Sequence, residues 1–206
     1  MPSIRLKVAS EDQPKTPYRY HDPVAGVVGI PVLRLTAIVR AHSRQPGGQP
    51  YRFPLPALVD TGAWISIVEY DTWAAWADAG CVEVLSFPDG KARRSGIGGT
   101  GFEYTFGRVN LSAVELSGWP RTAGVPAELA LPPVPVLFQL IHKKKDKDKD
   151  KDKDKYLPKG YTILLGLHHG ILDGRRLRRE VVASKPLALS TDCGPHFAQE
   201  WFLETP

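Results

Sequence analysis

Cysteine is scarce in this chain: two residues, Cys81 and Cys193, among 206. Two thiols so far apart make neither a disulfide framework nor a metal centre, and each reads as a small apolar residue. Long apolar runs are missing as well. No stretch approaches the roughly 20 apolar residues that cross a bilayer, so no membrane span is expected. Met1 to Lys15 holds no apolar run of signal-peptide type, and a reducing, cytoplasmic setting is the expectation. Charge of one sign is also largely absent. The net charge is +5. Lys143 to Lys155 contains eight lysines and five aspartates, so this one tract holds a surplus of three. The remainder is close to balanced, and a nucleic-acid partner is not expected.

What the chain has in quantity is turn-formers, with Gly and Pro at 19 each. That usage suits many short strands joined by turns. Residues 1–24 mix charge with Pro14, Pro17 and Pro23 and read as a flexible N-terminal arm, with one edge strand at Ile4–Val8. Residues 25–206 read as a single domain. Within it, Pro31–Val39, Phe53–Val59, Ile65–Val68, Val82–Leu85, Tyr104–Val114 and Val134–Ile141 have the apolar, β-branched character of strands. Further strands are expected over Tyr161–Gly166, Arg178–Val182 and Phe202–Leu203, and Trp119–Pro135 is expected to be irregular. Glu69–Gly80 is the one helix candidate, with Asp71 as its cap, Gly80 as its stop, and Trp73 and Trp76 as packing residues. The alternating Lys-Asp run is an insertion over 142–158 that can bury nothing, so it is expected to be a solvated loop.

Asp60-Thr61-Gly62 stands out for its context. It closes the apolar run Ala57-Leu58-Val59 and opens another, Ile65-Ser66-Ile67-Val68. A carboxylate there would sit on a tight turn leaving the core. Gly62 lets the backbone pass close to a neighbour, and the Thr61 hydroxyl can reach a partner. Two aspartates sharing one proton can deprotonate a water and protonate a leaving amide, because like charges about 3 Å apart cannot both ionise. The chain holds a single Asp-Thr-Gly. A two-fold homodimer that brings Asp60 to the partner's Asp60 completes the pair.

Three motifs in this order resemble the retropepsin family, the retroviral-type aspartic proteases and their single-lobe bacterial and cellular relatives. Ala57-Leu58-Val59-Asp60-Thr61-Gly62-Ala63 is similar to the family's active-site loop. Ser95-Gly96-Ile97-Gly98-Gly99 is similar to its glycine-rich flap, and Ile163-Leu164-Leu165-Gly166 to its late apolar-apolar-Gly motif, which packs behind the loop. The resemblance implies a mostly β fold, a small closed or partly open barrel with one short helix, working as a two-fold dimer. It implies an aspartic endopeptidase with no cofactor, hydrolysing a polypeptide laid extended under the flap. Asp60 would be the catalytic carboxylate, Thr61 would bond across the dimer axis, and Gly62 would accept a hydrogen bond from substrate backbone. Ala63, Gly96, Ile97, Gly98 and Gly99 would line the substrate. Retroviral members often carry a carboxylate after the loop Ala and an Arg after the late Gly; here those positions are Trp64 and Leu167. The expectation is that these two pack together in place of a salt bridge.

The chain has two rival readings. One is a binding or dimerisation module that keeps the fold without turnover. The other is a nucleic-acid-associated protein using the Lys-rich tract and Arg175-Arg176 to Arg178-Arg179. His168-His169 has no further ligands at workable spacing and reads as a surface or packing pair rather than a metal site. Asp173 reads as a cap on the closing turn.

Overall fold

The computed structural model describes residues 2–10, 18–22, 26–30, 33–97, 100–115, 127–131, 135–143, 156–167, 174–186 and 197–205. It is mostly β with one helix, as the wealth of turn-formers implies. The first strands are β1 (Ser3–Ser10), β2 (Tyr18–Asp22), β3 (Gly26–Ile30), β4 (Leu33–His42), β5 (Leu55–Val59) and β6 (Ser66–Val68). Helix α1 (Tyr70–Asp78) follows, then β7 (Val82–Leu85), β8 (Arg93–Ile97), β9 (Thr100–Val114) and β10 (Glu128–Ala130). The last four are β11 (Val136–Ile141), β12 (Ile163–Leu165), β13 (Arg176–Pro186) and β14 (Phe197–Glu204). Of the sequence expectations, the Lys-Asp tract beyond Lys143, His168-His169, Asp173 and Cys193 lie outside the described residues.

β2 and β3 make a two-stranded sheet of their own. The other strands form one mixed sheet in the order β10-β9-β11-β6-β12-β5-β4-β1-β14-β13, with β7 and β8 also on β9. β9 is long enough to take two partners in turn. Its residues 104–109 pair with β11, and residues 110–113 pair with β4. One strand therefore joins both ends of the run β11-β6-β12-β5-β4.

The centre of that run decides where Asp60 lies. β5 and β6 are consecutive in the chain but do not pair; β12 lies between them, parallel to β5 and antiparallel to β6. These strands are apolar at nearly every position because both faces are covered. Ala57, Val59, Val68, Ile163 and Leu165 point into the main core with Trp76 and Phe138. Leu58, Ile67 and Leu164 point the other way, into a smaller core with Phe102, Ile141 and Leu157. Pleating sends successive residues to opposite faces, so each three-residue strand feeds both cores.

Helix α1 ends as its sequence dictates. Gly80 takes φ +68° and donates to the Ala77 carbonyl at 2.9 Å, while the Cys81 N–H reaches Trp76 O at 2.8 Å. This is the paired-bond helix stop that favours glycine, with Cys81 and Trp76 both buried beneath it. Trp73 is half-buried and donates its indole N–H to the Ile141 carbonyl at 2.7 Å, consistent with a packing role.

Three expectations need correction. The strand at Ile4–Val8 is not at an edge: β1 lies between β4 and β14, and Ile4 and Leu6 are buried in the main core. Residues 3–10 are thus part of the sheet rather than a flexible arm; their partners lie far along the chain, where no local pattern points to them. Asp71 does not cap α1. Glu69 occupies the cap position without a capping side-chain bond, because its carboxylate accepts the backbone N–H groups of Tyr156 and Leu157. Asp71 sits inside the first turn, where a negative charge still suits the helix dipole. The third correction is a short strand, β10, inside the stretch expected to be irregular.

Candidate active site

Asp60 lies one residue past β5, on a turn that three backbone bonds hold in place. Its N–H donates to Leu165 O at 3.0 Å, and its carbonyl accepts the Ala63 N–H at 3.2 Å. The Leu167 N–H donates to Ala63 O at 2.9 Å. The carboxylate then folds back on its own turn: Oδ1 accepts the Gly62 N–H at 2.8 Å. Asp is suited to this local bond, which imitates a backbone turn. Asp60 is half-buried, whereas Thr61 and Gly62 are exposed. The carboxylate is therefore oriented by a backbone donor and still open to solvent.

Gly62 and Gly166 are needed for different reasons. A Cβ at Gly62 would sit 3.2 Å from Asp60 Oδ1, crowding the oxygen that the turn positions. A Cβ at Gly166 would meet Ile65 C at 2.6 Å, Ile65 O at 2.7 Å and Ala63 O at 2.9 Å. These are backbone atoms that cannot swing aside. Gly166 also donates to the buried Ser66 hydroxyl at 3.1 Å. The apolar-apolar-Gly segment thus lies directly behind the Asp60 loop, backbone against backbone.

Gly96 and Ile97 belong to a β-hairpin in which Gly96 pairs with Gly101 and Ile97 with Thr100. Gly98 and Gly99, the two residues between β8 and β9, lie outside the described residues. The hairpin is anchored through Phe102, which is buried in the smaller core with Leu58, Ile67 and Leu164. Ala63 packs against the same cluster. One apolar patch thus underlies both the hairpin and the Asp60 loop.

The expected burial of Trp64 with Leu167 does not occur. Trp64 is 73% exposed and Leu167 36% exposed. Their backbones run side by side through the Leu167–Ala63 bond, but the loop turns both residues outward.

Several polar arrangements escaped the sequence reading. Glu69, buried beside the loop's exit strand, holds the chain at Tyr156 and Leu157 where the Lys-Asp tract ends. His42, Ser112 and Glu128 converge from β4, β9 and β10. His42 Nε2 lies 2.7 Å from Ser112 Oγ and 3.0 Å from Glu128 Oε1, the Ser112 hydroxyl also bonds Glu128, and Arg40 donates to the other Glu128 oxygen at 3.3 Å. Nucleophilic relays use the two imidazole nitrogens for separate partners. Here both partners share one nitrogen and the serine is buried, so the cluster is a clip that fastens β10. Such separations in sequence leave no motif to read. Among the described residues, no three His, Cys, Asp or Glu side chains are grouped as metal ligands. A cleft of about 480 Å³ is lined by the β8–β9 hairpin with His142, Lys143 and Tyr156, and Asp60 is not among its lining residues. Comparison with known proteins returned no matching family model, curated protein or solved structure.

Proposed function

We propose that the chain is an aspartic endopeptidase in which Asp60 of one subunit and Asp60 of a second share a proton and activate a water against a peptide bond. The observation that carries the reading is the Asp60 turn itself. A half-buried carboxylate accepts the Gly62 N–H, on a loop whose Ala63 and Ile65 backbone lies directly against Gly166. Preorganisation of this kind is what acid-base catalysis requires. Thr61 and Gly62, being exposed, are available to a two-fold partner and to substrate backbone. The β8–β9 hairpin, with glycines paired across it, is suited to lie over an extended peptide. The run β11-β6-β12-β5-β4 joined through β9 fits a small barrel beneath it.

In this mechanism one carboxylate of the pair takes a proton from water as the hydroxyl adds to the carbonyl carbon. The other, protonated, hydrogen-bonds the carbonyl oxygen, and a proton then passes to the departing amine. No covalent intermediate forms. The test is cleavage of a mixed peptide library at mildly acid pH by the native chain and by Asp60→Asn. Loss of the shared acid-base should slow cleavage by about 10²–10⁴. Equal cleavage by both forms rules the reading out.

A second reading is favoured by the exposed Trp64 and Leu167 beside the loop. Large apolar side chains so placed suit a docking face, and a dimerisation or peptide-binding module without turnover would use them as it stands. Binding of library peptides with no cleavage by either form would select that reading.

A further inference from the structure

The cleft between the hairpin and the end of β11 has a built chemical character. Its floor is aromatic. Phe102 is buried, and the Tyr156 ring meets it edge-on, with centroids 5.3 Å apart and planes at 61°. Its rim is charged. Arg94 and Glu103 stand at paired positions on β8 and β9, and Lys143 follows the neighbouring β11, where the His142 N–H donates to the Glu103 carbonyl at 2.8 Å. Glu103 Oε1 is already held by Arg94 Nε and Nη2, at 3.3 and 3.1 Å. A guanidinium has five N–H donors, so Arg94, 85% exposed, keeps others for a ligand. Lys143 is exposed, with its ammonium 6.0 Å from the Tyr70 ring centroid.

From this juxtaposition we propose that the cleft is a second binding site, separate from the Asp60 loop, for a carboxylate carried on an aromatic or aliphatic body. The body lies on Phe102 and Tyr156, and the carboxylate is held by Arg94 and Lys143. A guanidinium fork matches a carboxylate geometrically, and the lysine adds a point charge. Arg94 and Lys143 against Glu103 leave one net positive charge at the rim, which suits a monoanion better than a phosphate dianion. The volume of about 480 Å³ lies in the range of small-molecule sites, roughly 300–1,000 Å³. The same chemistry is presented by a free aryl or alkyl acid and by the C-terminal residue of a polypeptide.

The experiment is an NMR titration of the full ¹⁵N-labelled chain with phenylacetate, N-acetylphenylalanine and N-acetylphenylalanine amide. The two acids should shift the Gly101, Phe102 and Tyr156 amides saturably, and the amide should not. Tighter binding of N-acetylphenylalanine supports the site and identifies a polypeptide end; equal or tighter binding of phenylacetate supports it and identifies a free acid. Arg94→Ala with Lys143→Ala, both at exposed positions, should weaken the acids by about tenfold or more. Asp60→Asn should leave their affinity unchanged, whatever becomes of peptide cleavage. The site is overturned if none of the three ligands shifts these amides, if the amide binds as well as the acids, if the double variant binds equally, or if Asp60→Asn abolishes binding.

Discussion

Gly166 shows how much one hydrogen atom in place of a methyl group can decide. Its missing side chain is what lets β12 run behind the Asp60 loop at backbone contact distance. Gly166→Ala should cost about 1–3 kcal/mol by overpacking, read as a lower urea midpoint. An unchanged midpoint would show that the loop can shift to make room. Cys81 is the opposite case, a residue defined by what surrounds it. Burial pushes its thiol above the ordinary range, partly offset by a hydrogen bond with the Tyr51 backbone. Below about pH 8.5, the usual thiol value, folded and unfolded chains both hold the proton and nothing is gained or lost. Above it the unfolded chain ionises first, so this residue lowers stability as pH rises toward its folded pKa. In a Cys193→Ser background, iodoacetamide at pH 8 should label Cys81 far more slowly in the native chain than in urea. Equal rates would contradict its burial.

At the scale of elements, the joints between strands are held by polar side chains rather than by propensity. Glu69 closes the end of β6 onto the returning chain at Tyr156 and Leu157. Glu69→Ala strands two backbone N–H groups, and each buried orphan costs about 1–3 kcal/mol. Glu69→Gln keeps an acceptor and should recover part of the loss. Hydrogen exchange at Leu157 separates this local effect from global loosening, since protection there should fall first. The Lys-Asp tract has nothing in its sequence to bury. Changing the length of such a segment is expected to alter closure entropy by only about 0.6 kcal/mol per doubling. Replacing residues 144–155 with a six-residue Gly-Ser linker should therefore move the melting temperature by a few degrees at most. A large loss would mean that the tract packs on the sheet.

For the whole molecule, the central question is the second carboxylate. One chain presents one Asp60, so the proposed chemistry requires a two-fold partner. Sedimentation of the native chain should show dimers with a concentration-dependent monomer fraction, and Asp60→Asn should keep that mass while losing cleavage. A strict monomer that still cleaves through Asp60 would remove the two-carboxylate mechanism. The exposed Trp64 and Leu167 bear on this scale as well, because apolar side chains beside the loop would suit contact with the proposed partner.

Local pattern was enough to reveal a mostly β chain, the helix with its glycine stop, and the tight turn at Asp60. Each follows from residues within a few positions of one another, through alternation, capping and turn chemistry. Sequence alone also bounded the charged tract, which has nothing to bury. Tertiary structure decided the rest. The seat of β1 between β4 and β14, the outward turn of Trp64, the diversion of Glu69 from capping to clamping, and the meeting of Arg94 with Lys143 around an aromatic floor all join segments distant in the chain. Pairing and packing at that range depend on shape and on competition among partners for each buried polar group, which no short window of residues records.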